Sequence, residues 1–196
     1  MKVYKKIFFI VILSTFINHS HAKAPIEFIS EITNNASNIL KENITIDQKA
    51  EKLIVLAENA VDIDGIGLYS LGKHRKSITE EKLSEYKTLF RKYFLKSFSS
   101  RLSQYSDPQI IVTSQNIINN KYTIVSSVLV ETAERPEIKI DWRVYTKNPN
   151  KPLIRDLIIE GLSLARTQKE EFNSVIQSAD GDVDALLVNL KEFNSK

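Results

Sequence analysis

The chain has 196 residues, 27 Lys and Arg against 24 Asp and Glu, and no cysteine. Without cysteine there can be no disulfide, thiolate nucleophile or lipid-modified N-terminal Cys, so stability must come from packing. The first 22 residues read as a secretory leader. Lys2, Lys5 and Lys6 form a basic segment, Ile7 to Ile17 an uncharged apolar core, and "SHA" a small-residue cleavage site after Ala22. About eleven apolar residues are too few to span a bilayer. That leader holds three lysines and no acid, so residues 23–196 carry 24 charges of each sign (27 less 3, against 24). A formally neutral chain argues against a nucleic-acid binder and against strong attraction to anionic membrane surfaces. The expected domain layout is a signal peptide over 1–22 and a single domain over 23–196, exported as a monomer.

Apolar residues at spacings of three and four predict a helix from Pro25 to about Asn43. A second follows from Asp47, the expected N-cap, to Val61, and a short third near "IDGIGLYSLG", ended by Gly72. Thr79 caps a long helix whose Leu83, Tyr86, Leu89, Phe90, Tyr93, Phe94, Phe98, Leu102 and Tyr105 form one broad stripe. Asp107-Pro108 stops it. The period then changes to two. "QIIVTS", "KYTIVSSVLVET", "PEIKIDWRVYT" and "PLIRDLIIE" read as four strands, separated by turn-like "NIINNK", "AERP" and "KNPNKP". Ser163 is expected to cap a helix over 164–177, and Asp180-Gly181-Asp182 to break before a last helix over 183–193. The predicted fold is α+β: a four-stranded antiparallel sheet with a helical layer packed on one face.

Little in this chain looks like chemistry. Beyond the leader the only histidine is His74, expected to be solvated in a polar turn. No phosphate loop, catalytic triad or metal-ligand spacing occurs, so no metal or cofactor is expected. Asp62 and Asp64 read as capping and turn residues. Glu160, between "LII" and Gly161, could be a general acid raised by apolar neighbours. The simpler reading is that it ends a strand and bonds backbone amides where Gly161 turns the chain.

Three segments resemble one known family. These are "DGIGLYSLGKHRKSITEEKLSEYKTLF", "LIIEGLSLARTQKEEF" and "GDVDALLVNL". In that order they are similar to the MlaC, or toluene-tolerance, family of periplasmic phospholipid-binding proteins, departing at Arg75, Gln168, Lys169 and the "LIRD" run. The resemblance implies a non-enzymatic carrier that shuttles glycerophospholipid between an outer-membrane MlaA-type lipoprotein complex and an inner-membrane ABC transporter bearing an MlaD-type ring. It also implies an apolar cavity enclosed between sheet and helices. With strand alternation, this nominates Val128, Val130, Ile140, Trp142, Val144, Leu157 and Ile159 as lining, with Leu68, Leu71, Phe90, Phe94, Leu162 and Leu164 from the helices. Alternation leaves open which strand face points inward. Two other readings remain: an enzyme using Glu160 or an aspartate on a hydrophobic substrate, and an interaction factor with a filled core.

Overall fold

The structure, a computed structural model, describes residues 24–133 and 135–196. The expected leader and its cleavage point lie outside the described residues. Helices α1 (Pro25–Lys41), α2 (Ile46–Ala60), α3 (Ile63–Leu71) and α4 (Glu80–Leu102) come first, with a 3-10 turn, Gly72–Lys76, between α3 and α4. Strands β1 (Ile110–Asn119), β2 (Tyr122–Leu129), β3 (Ile138–Tyr145), β4 (Leu153–Ile159) and β5 (Leu162–Ser163) follow, then α5 (Leu164–Ser178) and α6 (Val183–Ser195).

Helix starts are set by side chains that occupy the otherwise unpaired first amides. Thr79 Oγ1 accepts from Lys82 N at 3.3 Å, and Ser163 Oγ from Arg166 N at 3.1 Å. The cap of α2 is Thr45, not Asp47. Thr45 and Gln48 form a reciprocal capping box, with bonds of 3.2 and 3.0 Å, which places Asp47 inside the first turn. There its carboxylate suits the positive end of the helix dipole. Gly72 ends α3 at φ 60°, a conformation that disfavours any side chain.

All strand pairs are antiparallel, in the order β1-β2-β3-β4-β5. Five strands are present where four are predicted. Glu160 (φ 48°) and Gly161 (φ 82°) form a two-residue turn with both residues left-handed, so Leu162 pairs back on Ile159 before Ser163 starts α5. The segment "NIINNK" is also mostly strand, not turn. The side-chain oxygen of Asn119 accepts from the amides of Lys121 and Tyr122, closing the hairpin tightly and leaving Ile117 and Ile118 in β1.

The core is divided. One cluster joins α3, α4, α5 and α6 around Ile66, Leu71, Tyr86, Phe90, Phe172 and Leu186. The other joins α1 and α2 to the sheet through Phe28, Ile29, Ala60, Val125, Val144 and Ile154. Val61 packs at the margin of both. Asp62 fastens this junction to β4. Its amide donates to Ile154 O at 2.9 Å, and its carboxylate accepts from Arg155 Nε at 2.5 Å. Arg155 also reaches Tyr122 Oη at 2.9 Å and lies 3.8 Å from the Tyr145 ring centroid.

Candidate functional site

Register decides which strand face meets the helices. Val125 pairs with Trp142, Thr123 with Val144, Ser127 with Ile140 and Leu129 with Ile138. Across the next ladder Ile140 pairs with Ile159, Trp142 with Leu157 and Val144 with Ile154. Because side chains alternate, these residues share one face. It is the face on which α1 and α2 pack.

The cluster that α1 and α2 form with the sheet takes in only part of it. Val125, Val144 and Ile154 belong to the packed cluster, with Trp142 at its edge. Beyond Trp142 the same face continues as Leu129, Ile138, Ile140, Leu157 and Ile159. None of these belongs to either core cluster. Leu129 and Ile140 are buried, while Ile138, Leu157 and Ile159 are half-buried. Few polar groups intrude. Ser127 is satisfied, accepting from Trp142 Nε1 at 2.9 Å and donating to Ile140 O at 3.1 Å.

The C-terminal part of α4 forms a second apolar surface. Phe94 and Phe98 stack, with centroids 6.1 Å apart and planes 7° apart, and Phe98 and Leu102 are half-buried outside both clusters. Two tethers hold this stretch. Tyr93 Oη donates to Gln168 Oε1 on α5 at 2.9 Å. Past the helix end, the Arg135 guanidinium lies 5.7 Å from the Tyr105 ring centroid and donates to Val130 O at the end of β2 at 3.2 Å. Roughly 18 Å of chain at helical rise separates Tyr93 from Tyr105. That stretch runs from α5 to the β2–β3 end of the sheet, the end that carries Leu129 and Ile138.

The thirteen nominated residues fall into distinct groups. Ile140, Trp142, Leu157 and Ile159 lie together on the inner face. Val144 shares that face but sits in packed core, and Leu71 and Phe90 are packed in the helical cluster, with Phe94 at its margin. Val128 and Val130 are on the opposite parity, with Val128 paired to Ile111 and Lys139. Leu68 is half-buried on α3, whereas Leu162 and Leu164 are 58% and 40% exposed at the start of α5. Sequence reasoning missed Leu129, Ile138, Phe98 and Leu102. Ile138 and the two α4 residues were visible in the periodicity; Leu129 required the register of β2.

The carboxylates are in structural use. Glu160 N donates to Lys139 O at 3.0 Å, and Lys139 N donates to Glu160 Oε1 at 2.5 Å, so this side chain ties the β4–β5 turn to β3. Asp62 caps α3 by accepting from Gly65 N at 2.9 Å, and Asp64 pairs with Arg91 at 3.0 Å. Asp156, 3% exposed, accepts from Ala165 N and Ser163 Oγ and so fixes the start of α5. His74 is buried, not solvated. The 3-10 turn folds against α5, and His74 Nε2 lies 3.3 Å from Asn173 Oδ1 while the flanking Lys73 and Arg75 face solvent. Among the described residues no group of three or more His, Cys, Asp or Glu could hold a metal ion, and no helix is long and apolar enough to cross a membrane.

A family model described as "MlaC protein" matches residues 30–192. A solved phospholipid-binding protein from Ralstonia solanacearum, in complex with a phospholipid, has the same fold at a TM-score of 0.71. It is 20% identical, and the match covers 86% of this chain and 95% of that one. No curated protein matches.

Proposed function

The chain belongs to the MlaC family, and from that premise we propose that it is a periplasmic carrier holding a glycerophospholipid against the apolar sheet face beyond Trp142. In this reading residues 1–22 are a removed leader and 23–196 form one lipid-binding domain. The carrier takes its lipid from one membrane complex and gives it to another, an outer-membrane MlaA-type lipoprotein complex at one end and an inner-membrane transporter with an MlaD-type ring at the other. No covalent chemistry is required of it, and Glu160 has a turn to hold.

One observation carries the reading. The inner face beyond Trp142 is apolar and turned toward the helices, yet Ile138, Leu157 and Ile159 are only half-buried and join neither core cluster. A filled core closes over such residues, since each fully buried aliphatic side chain contributes about 1.5–3 kcal/mol. A face left open between two separately packed cores suits a removable apolar guest. The Ralstonia neighbour, with its bound phospholipid, is consistent with that guest.

The energetics favour a carrier without an enzyme. Two acyl chains hold roughly 30 methylenes, and at ~0.8 kcal/mol each their exposure costs roughly 24 kcal/mol, which makes unaided crossing of water very slow. An apolar site removes that cost in transit. It nearly cancels between donor and acceptor sites of similar polarity, so small affinity differences set direction. Organic extraction of the purified protein followed by lipid mass spectrometry tests the proposal. Near-stoichiometric phospholipid is expected; its absence from protein purified without detergent would refute the reading.

A further inference from the structure

The balanced charge of residues 23–196 hides a local imbalance. In the 3-10 turn after α3, Lys73, Arg75 and Lys76 are exposed while His74 is turned inward. That turn lies on α5: a Cβ at Gly72 would sit 3.2 Å from Lys169 Cε, and His74 contacts Asn173. Lys169 therefore joins the same patch, its Nζ 5.2 Å from the Tyr69 ring centroid. Among the described residues none of Lys73, Arg75, Lys76 and Lys169 is paired with a carboxylate. Arg75 instead donates to Leu68 O at 3.3 Å, at the end of α3. On α5, Glu171 is engaged by Gln168 Nε2 at 3.1 Å.

An exposed ring accompanies these cations: Tyr69 is 41% exposed beneath Lys169. An exposed aromatic ring among lysines that lack a carboxylate partner suits the interface of a lipid bilayer, where rings sit at headgroup level and lysine stems lie on apolar surface with their charges outward. A protein partner is favoured less. Three of the four cations are lysines, a residue depleted from protein interfaces, and the one arginine is already committed to Leu68.

We propose that this face, built from Tyr69, Lys73, Lys76 and Lys169, rests on an anionic bilayer surface while lipid is loaded or delivered. The proposal rests on the carrier reading, but the two have separate readouts. Flotation of the purified chain with phosphatidylcholine vesicles containing phosphatidylglycerol, and with pure phosphatidylcholine vesicles, tests it at low and high salt. The wild type is expected to float with the anionic vesicles only and to be released by salt. Each lysine is expected to contribute about five-fold, so Lys73→Gln, Lys76→Gln and Lys169→Gln together should weaken association about a hundred-fold. Co-purified phospholipid and melting temperature should not change, and a loss of lipid content in the wild type would count against the carrier reading alone. Equal binding to both vesicle types, unchanged binding of the triple variant, or no vesicle binding by the wild type would each overturn the proposal, the last leaving an acidic protein surface as the patch's partner.

Discussion

Enlarging side chains along one sheet separates an open face from a filled one. Val144 is fully buried and packs with Phe28, Ile29, Ala60, Val125 and Ile154. Val144→Trp has no space to enter and should cost ~1–3 kcal/mol or more. For a domain of this size each kcal/mol lowers Tm by about 2–4 °C, giving a fall of roughly 2–12 °C. Leu157 and Ile159 share the same face, paired to Trp142 and Ile140, but lie outside both clusters. Leu157→Trp and Ile159→Trp should find room where an acyl chain would lie. Val128→Trp, on the opposite parity, is the control and should alter neither property. Because bound lipid stabilises by mass action, Tm must be compared on delipidated protein. The assay pairs phospholipid per chain, by extraction and mass spectrometry, with thermal melts of the stripped variants. The expected pattern is a lowered Tm at position 144, lost lipid with Tm kept at 157 and 159, and no effect at 128. If the variants at 157 and 159 melt as low as the one at 144, the face beyond Trp142 is filled and the reasoning fails.

Three further outcomes follow from particular contacts. A Cβ on Gly67 would stand 2.7 Å from Phe90 Cδ1, a ring held in the core, so Gly67→Ala should destabilise by ~1–3 kcal/mol in urea unfolding. Glu160→Gln retains an oxygen that can accept from Lys139 N, so lipid content should be unchanged; a variant that kept fold and lipid but lost turnover of some substrate would favour an enzyme. Burial, with Tyr93 adding to it, raises the Tyr86 phenol above its ordinary value. The neutral form is favoured in the fold, so stability is full below pH about 10 and falls as pH rises beyond it. Tyr86→Phe should flatten that alkaline fall in unfolding measured against pH, while costing ~0.5–1.5 kcal/mol for the bond to Gly67 O.

Local chemistry made much of this protein legible from its sequence. Pro25, Thr79, Ser163, Gly72 and the Asp180-Gly181-Asp182 break act within a few residues of themselves, so the helices they bound could be placed without a fold. Period-two alternation likewise marked the strands, and three motifs in order marked the family. The misreadings came where two polar signals competed nearby: Thr45 over Asp47 as a cap, and Asn119 closing a hairpin inside what reads as a turn. Only tertiary structure decided the rest. Alternation divides a strand into two faces but names neither, so Val128 and Leu129 were interchangeable until pairing with Ile138 and Lys139 turned Leu129 inward. His74 sits among lysines in the chain, yet α5 arrives from about a hundred residues away to bury it, with Asn173 as its partner. Whether Leu71, Phe90 and Val144 join a packed cluster while Leu157 and Ile159 stand outside both depends on where the helices pack on the sheet. That is a property of distant segments meeting, and hydrophobicity is the same on both sides of the line.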